Sequence, residues 1–271
     1  FLFNKVKDSP GWRAVCGHFS GPITRQVKRF AIAMGMSRDI TEWEFLQEMI
    51  RRSANLIKPI EISAATAPCK EVKKFGKDVN LLEIPFTYHA IGDSARYTFH
   101  SVTNYKDPDS PWQGTGQYCT QAYSKNRLTI TPYFYAKIVG LLTSKYEPRN
   151  QPMPVAIALG APPALYAAAV TLSLPGIHEL EVASAFQMAP MEVVKAETSD
   201  LLVPANAQVI IEGEIRPYER LPEGPKIESF AFSAGPRQMM YAIRVTCITQ
   251  RKDPILADLI MSRGVIWSQN Q

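Results

Sequence analysis

Leu221-Pro222-Glu223-Gly224-Pro225-Lys226-Ile227-Glu228 is the stretch on which the reading of this chain turns. Two carboxylates, Glu223 and Glu228, stand on either side of a Gly-Pro corner. Pro225 fixes one backbone torsion and Gly224 frees its own, so the corner can aim two acids at one point, which suits proton transfer. Pro-Glu-Gly-Pro is equally the composition of a polar turn between strands, and the eight residues alone leave both readings open. Their surroundings are β-like: residues 191–197, 208–215 and 240–249 read as strands.

Further upstream the pattern stays largely β from about residue 96. Residues 97–105 read as a strand, 106–111 as a turn with two prolines, and 115–123 with 127–131 as a hairpin across Ser124-Lys125-Asn126. A helix is expected over 133–146, a buried strand over 155–159, and an Ala-rich helix over 163–170 with Pro162-Pro163 at its start. Residues 1 to about 75 read as mixed α/β. There Thr41-Glu42-Trp43-Glu44 fits a capping box, Trp43, Leu46, Met49 and Ile50 form a helical stripe, and Lys58-Pro59 ends the helix. A turn-rich connector leads to Pro85. The fold class is therefore α/β (α+β), with an N-terminal segment over 1–85 and a β-rich domain over 86–271.

Composition narrows the function classes. Apolar residues at 46% and charged residues at 20% are globular values. Thirty basic against 25 acidic residues give a charge of +5, yet no basic run interleaved with aromatics appears, so a nucleic-acid partner is not expected. The surplus favours encounter with carboxylates or phosphates. Cys16, Cys69, Cys119 and Cys247 make no Cys-x-x-Cys pair, which argues for reduced thiols and a cytoplasmic location rather than a disulfide framework or zinc. The apolar run 155–172 is broken by Gly160, Pro162 and Pro163, so no membrane span is expected.

An ordered set of motifs runs along most of the chain. It opens with Phe3-Asn4-Lys5-Val6-Lys7 and Pro10-Gly11-Trp12-Arg13, then Ala67-Pro68-Cys69-Lys70-Glu71-Val72 and the segment from Asp78 to Pro85. Gly92-Asp93, the segment from Pro154 to Ala164, Val203-Pro204-Ala205 and Ile211-Glu212-Gly213-Glu214-Ile215 follow. After the Pro-Glu-Gly-Pro corner come Arg244-Val245-Thr246 and the segment from Arg251 to Ile255. In this order and spacing the chain resembles the UbiD family of decarboxylases. That family uses a prenylated flavin mononucleotide (prenylated FMN) with a divalent metal to remove or add a carboxyl group on unsaturated or aromatic acids. The resemblance implies a flavin-binding split β-barrel over 86–271. It also implies a further C-terminal α/β domain, which has no counterpart before Gln271, so a short paralogue and an excerpt both remain open.

The resemblance also assigns roles. The family's two catalytic glutamates fall on Glu223 and Glu228, the latter as proton donor, and its arginine position falls on Cys119. A thiol is a weak donor where a guanidinium offers a charged fork; without that cation, two nearby carboxylates are expected to repel, one protonating or the pair splaying apart. Of the family's three metal ligands only the glutamate position is kept, as Glu179; the asparagine position falls on Gly114 and the histidine position, after a short gap, on Tyr135. Ala169-Val170-Thr171-Leu172 replaces a stretch that touches the flavin. Gln117 and Gln121, two residues either side of Cys119, are candidates to hydrogen-bond a ligand or plain surface residues. Tyr133, Phe134 and Tyr135 are read as a helix face packed on the barrel, or else as an aromatic wall for a substrate. His18, His89, His100 and His178 are read as packed or surface histidines. The expectation is a structural subunit with a decayed site, assembled with other UbiD-like or carboxylase subunits and binding little flavin of its own. The alternative is an active decarboxylase with an altered site.

Overall fold

Alternation along the strand Met153–Leu159 sets the layering. Met153, Val155, Ile157 and Leu159 enter one hydrophobic core while Ala156 and Ala158 enter another, so this strand is buried on both faces. Bulky side chains fill the first core; the alanines let helices approach the second face closely.

The structure is a computed structural model describing residues 1–16, 23–90, 92–171, 173–174, 176–227 and 234–258. Its main sheet has nine antiparallel strands. In chain order these are β1 (Val72–Phe75), β2 (Tyr97–Thr98), β3 (Ser101–Lys106), β4 (Gln113–Gln117) and β5 (Cys119–Ser124). Then come β6 (Arg127–Thr131), β7 (Met153–Leu159), β8 (Val209–Glu223) and β9 (Gln238–Gln250). The path runs β2-β5-β6-β9-β8-β7-β3-β4, and β1 pairs with the part of β9 beyond its contact with β6. Tyr118 alone separates β4 from β5 in sequence although the two lie towards opposite ends of this path, so the sheet curls back on itself. The Ser101 hydroxyl clasps the junction, donating to the Tyr118 carbonyl at 2.7 Å and lying 3.0 Å from the Thr120 hydroxyl.

Among the described residues five α-helices accompany the sheet: α1 (Ile23–Ala33), α2 (Glu42–Ser53), α3 (Lys137–Leu141), α4 (Pro163–Val170) and α5 (Glu179–Phe186). α4 and α5 cover the alanine face through Leu165, Tyr166, Leu180 and Phe186. The capping box at Thr41 forms as expected, with Glu44 reaching back to the Thr41 amide. The stripe on α2 does not: Trp43, Leu46 and Ile50 are exposed, and the inward face is carried by Phe45, Glu48, Met49 and Arg52. Arg52 is the reason. Its guanidinium donates to the carbonyls of Met34 at 2.9 Å and Phe186 at 2.5 Å, pinning α2 to the ends of two other helices. The expected helix over 133–146 begins only at Lys137 and passes into a π-helical turn, Leu142–Tyr146.

The N-terminal segment is joined to the sheet by charge as well as by pairing. Lys70, in the short 3₁₀ turn Pro68–Lys70, reaches Glu212 of β8 at 3.3 Å, and neither side chain has appreciable exposed surface. Glu212 further accepts from the amides of Glu197 at 2.8 Å and Thr198 at 2.7 Å and from the Thr198 hydroxyl at 2.8 Å. Removing the cation alone strands a buried carboxylate, so Lys70→Met should lower unfolding free energy by about 3–5 kcal/mol. Urea denaturation checks this: the midpoint should fall while the slope stays unchanged.

Candidate functional site

β8 runs into the Pro-Glu-Gly-Pro stretch as far as Glu223, which is paired opposite Gln238. The change of direction falls on the next two residues: Gly224 has φ +86° and the Gly224–Pro225 peptide is cis. A Cβ at 224 would stand 3.0 Å from the Pro236 carbonyl oxygen, so position and torsion both call for glycine. Tyr97 braces the corner, its hydroxyl accepting from the Gly224 amide at 3.2 Å, while the Ser94 amide donates to the Pro225 carbonyl at 2.8 Å. Burial raises the Tyr97 phenol above its ordinary value, which keeps it neutral.

Glu223 is buried and saturated. Its Oε2 accepts from the Thr129 hydroxyl at 2.5 Å, and its Oε1 accepts from the Thr131 hydroxyl and from Lys226 Nζ at 2.5 Å. Lys226, itself buried, also donates to Thr131 Oγ1 at 2.9 Å and stands 5.5 Å from the centre of the Tyr97 ring. Cys119, where the resemblance puts the arginine position, is the register partner of Thr131 on the neighbouring strand. The cation, however, comes from Lys226. This corrects the expectation of an uncompensated carboxylate: Glu223 has its counter-charge three residues on, inside the very stretch that drew attention to it. Glu228 lies outside the described residues, so the pairing of the two acids is not part of this geometry.

Glu179 forms a second centre. It opens α5 and is 1% exposed. Oε1 accepts from Lys137 Nζ and from the Ser173 hydroxyl at 2.6 Å, and Oε2 from the Thr115 amide at 2.9 Å. Lys137 also donates to Ser173 Oγ at 2.9 Å and lies 5.3 Å from the centre of the Trp112 ring. The other two ligand positions do not join it. Tyr135 is 65% exposed and stacks on Tyr133. At Gly114 a Cβ would meet the Tyr105 ring at 2.6 Å and the Trp112 ring at 2.8 Å, so no side chain fits. Among the described residues no three His, Cys, Asp or Glu side chains gather as a metal site. A hard cation wants about six oxygens, and these residues do not fit one.

The remaining candidates separate. Gln117 donates to the Phe99 carbonyl at 2.9 Å, and Gln121 is buried, so neither is a plain surface glutamine. Tyr133, Phe134 and Tyr135 are exposed and precede the helix, which removes the packed-face reading. His89 and His100 are buried, His178 caps α5, and His18 lies outside the described residues. No disulfide joins the cysteines.

Lys137 and Lys226 are the functional side chains that sequence reading passed over. The gap before Tyr135 left that match open by about two residues, and Lys137 lies two residues further on. A search for a lysine within a few residues of Glu223 would have found Lys226; Lys137, 42 residues from Glu179, comes beside it only through the fold.

Residues 60–264 match the family model described as the UbiD 3-octaprenyl-4-hydroxybenzoate carboxy-lyase Rift-related domain. The chain belongs to the UbiD family. A phenolic acid decarboxylase of Bacillus subtilis (strain 168) is 33% identical over 244 residues, 88% of this chain and 50% of the relative. The closed form of the vanillic acid decarboxylase of Sedimentibacter hydroxybenzoicus superimposes with a TM-score of 0.90 at 28% identity, over 99% of this chain and 56% of that one. An evolved dimeric form of the UbiD-class enzyme HmfF from Pelotomaculum thermopropionicum, in complex with prFMN, gives 0.86 at 30% identity, over 96% and 58%. This UbiD-family chain thus spans about half the length of the curated relatives it matches.

Two outcomes follow from the site. Lys226→Met should destabilise the chain by about 3 kcal/mol by leaving Glu223 buried without its cation, and Lys226→Met/Glu223→Gln should regain most of that loss in the same urea assay. Burial pushes the Cys69 thiol up to about 11 and the Cys247 thiol up to about 12, from an ordinary 9.0. Below about pH 9 both states keep these protons; above it the unfolded chain loses them first, so stability falls as pH rises towards 11. The urea midpoint should decline between about pH 9 and 10.5, less steeply in Cys247→Ala.

Proposed function

We propose that this chain serves a UbiD-class carboxy-lyase acting on an aromatic or unsaturated acid, as a structural subunit assembled with other UbiD-like or carboxylase chains. On this reading residues 86–271 are a split β-barrel of the flavin-binding type and 1–85 an N-terminal segment. The curling of the main sheet between β4 and β5 supports the barrel. The family membership and the decarboxylase relatives support the substrate class, and four cysteines outside any disulfide suit a reducing, cytoplasmic setting.

The state of Glu223 carries the choice of a structural role. Both of its oxygens are already engaged by Thr129, Thr131 and Lys226, and the side chain is 2% exposed. A carboxylate so held is an anchor for the cis corner and has no open face towards a substrate. Lys226 spends its charge on the same anchor. At Glu179 the residues do not fit the metal that the family sets against the flavin phosphate, so this chain holds prenylated FMN weakly or not at all.

One observation favours a second reading, an active enzyme with an altered site. Lys226 puts a cation beside Glu223 where the resemblance gives Cys119 in place of an arginine. In that case Lys226 would replace the arginine as the group that fixes Glu223, and Glu228 would deliver the proton.

Glu228→Gln in the assembled complex separates the two. A structural subunit should keep near-normal decarboxylation rates, whereas loss of a general acid should cost about 10²–10⁴-fold with the complex still intact. Cys119→Arg should create no activity under the first reading. The isolated, co-expressed chain should also show no stoichiometric flavin absorbance; one flavin per chain would overturn the structural reading.

A further inference from the structure

Lys137 and Glu179 form an ion pair in a place of unusual closure. The Glu179 carboxylate has three of its roughly four lone-pair directions taken, by Lys137, Ser173 and the Thr115 amide. Ser173 ties the pair together, since its hydroxyl both donates to Glu179 and accepts from Lys137. Trp112 flanks the ammonium and is itself fixed by its indole N–H donating to the Ile177 carbonyl at 3.0 Å. Trp112 and Tyr105 also fill the space that any side chain at position 114 would need.

We propose that Lys137 is the resident cation of Glu179, taking the place of a divalent metal and barring one from this carboxylate. Three observations converge on this. The ammonium occupies one carboxylate oxygen, the remaining lone pair cannot supply a hard cation's coordination shell, and among the described residues no three His, Cys, Asp or Glu side chains gather to complete one. Access is not the barrier: Lys137 is 26% exposed on its side chain and lines a cavity of about 410 Å³ with Trp112, Lys145 and Gly176. An incoming ion can reach the wall of the site, but it meets a positive charge already seated there. The flavin-independent structural reading is not required for this; an active enzyme with an altered site would carry the same internal ammonium.

Mn²⁺ is the probe, applied to the full chain by electron paramagnetic resonance and by thermal unfolding with and without EDTA. The wild-type protein should bind no Mn²⁺ through Glu179, and neither Mn²⁺ nor EDTA should move its Tm. Lys137→Met should lower Tm by about 5–10 °C, because it leaves a buried carboxylate unpaired. Millimolar Mn²⁺ should restore part of that loss, and Lys137→Met/Glu179→Gln should restore it without metal. One Mn²⁺ bound per wild-type chain and lost in Glu179→Gln would overturn the proposal, as would a Lys137→Met protein with unchanged Tm. Where Lys137→Met fails to fold, Lys137→Arg keeps the test open: it preserves a cation and should remain indifferent to Mn²⁺, and tight Mn²⁺ binding by that variant counts against the idea. Activity enters none of these readouts, so failure here leaves the carboxy-lyase reading to its own test.

Discussion

Glu212 is the constraint to which much of the chain answers. A carboxylate without exposed surface cannot stay charged unless something inside the protein replaces water. Lys70 supplies the charge, and two backbone amides with one hydroxyl supply the remaining hydrogen bonds. The donors come from two separate stretches, the 3₁₀ turn near residue 70 and the loop at 197–198, and the acceptor is carried by β8. Satisfying one side chain therefore fixes the N-terminal segment and the loop against the sheet. Register is set at the same point. Between Glu212 and Gly213 the pairing with β9 slips by one residue, leaving Thr246 bulged, and Gly213 lies where a Cβ would come within 2.3 Å of the Arg244 carbonyl oxygen.

The same solution recurs at Glu223 and Glu179. Each is a buried carboxylate with a lysine in contact and with hydroxyl or amide donors on its other lone pairs. Repetition matters because burial with both oxygens engaged makes such groups rigid and specific in position. On the structural reading proposed above, it also leaves them little to offer an incoming ligand. A catalytic acid must have at least one face open to its proton acceptor, and a metal ligand must have lone pairs to give.

Local signals were legible in the sequence where a short-range rule decides the structure. The capping box at Thr41, the helix Pro163–Val170 opened by two prolines, and the doubly buried strand at 155–159 all follow from neighbouring residues alone. Family membership was legible from the order of the motifs. The α2 stripe was not, since Trp43, Leu46 and Ile50 satisfy helical periodicity as well as Phe45, Met49 and Arg52 do. The tie was broken by Arg52 reaching two carbonyls from distant helices, which no local pattern encodes. The two lysines at the candidate site were missed for a related reason. A lysine among polar residues reads as a solvated side chain until a tertiary contact shows its ammonium taken out of water.

Why an ammonium matters, rather than the arginine or the metal of the family, follows from shape. A guanidinium is a planar fork that can hold one carboxylate and still present donors to another. An ammonium is a compact point charge, and Lys226 directs donors to Glu223 and Thr131, both parts of the chain. A divalent metal bridges because it collects ligands from both sides; Lys137 on Glu179 neutralises without bridging. On the structural reading, the positive charge is kept at both carboxylates without the arginine or the metal. Stability needs only the charge, whereas catalysis needs the second coordination direction. On the structural reading proposed above, lysines in place of an arginine and a metal are what a fold retained for assembly would tolerate.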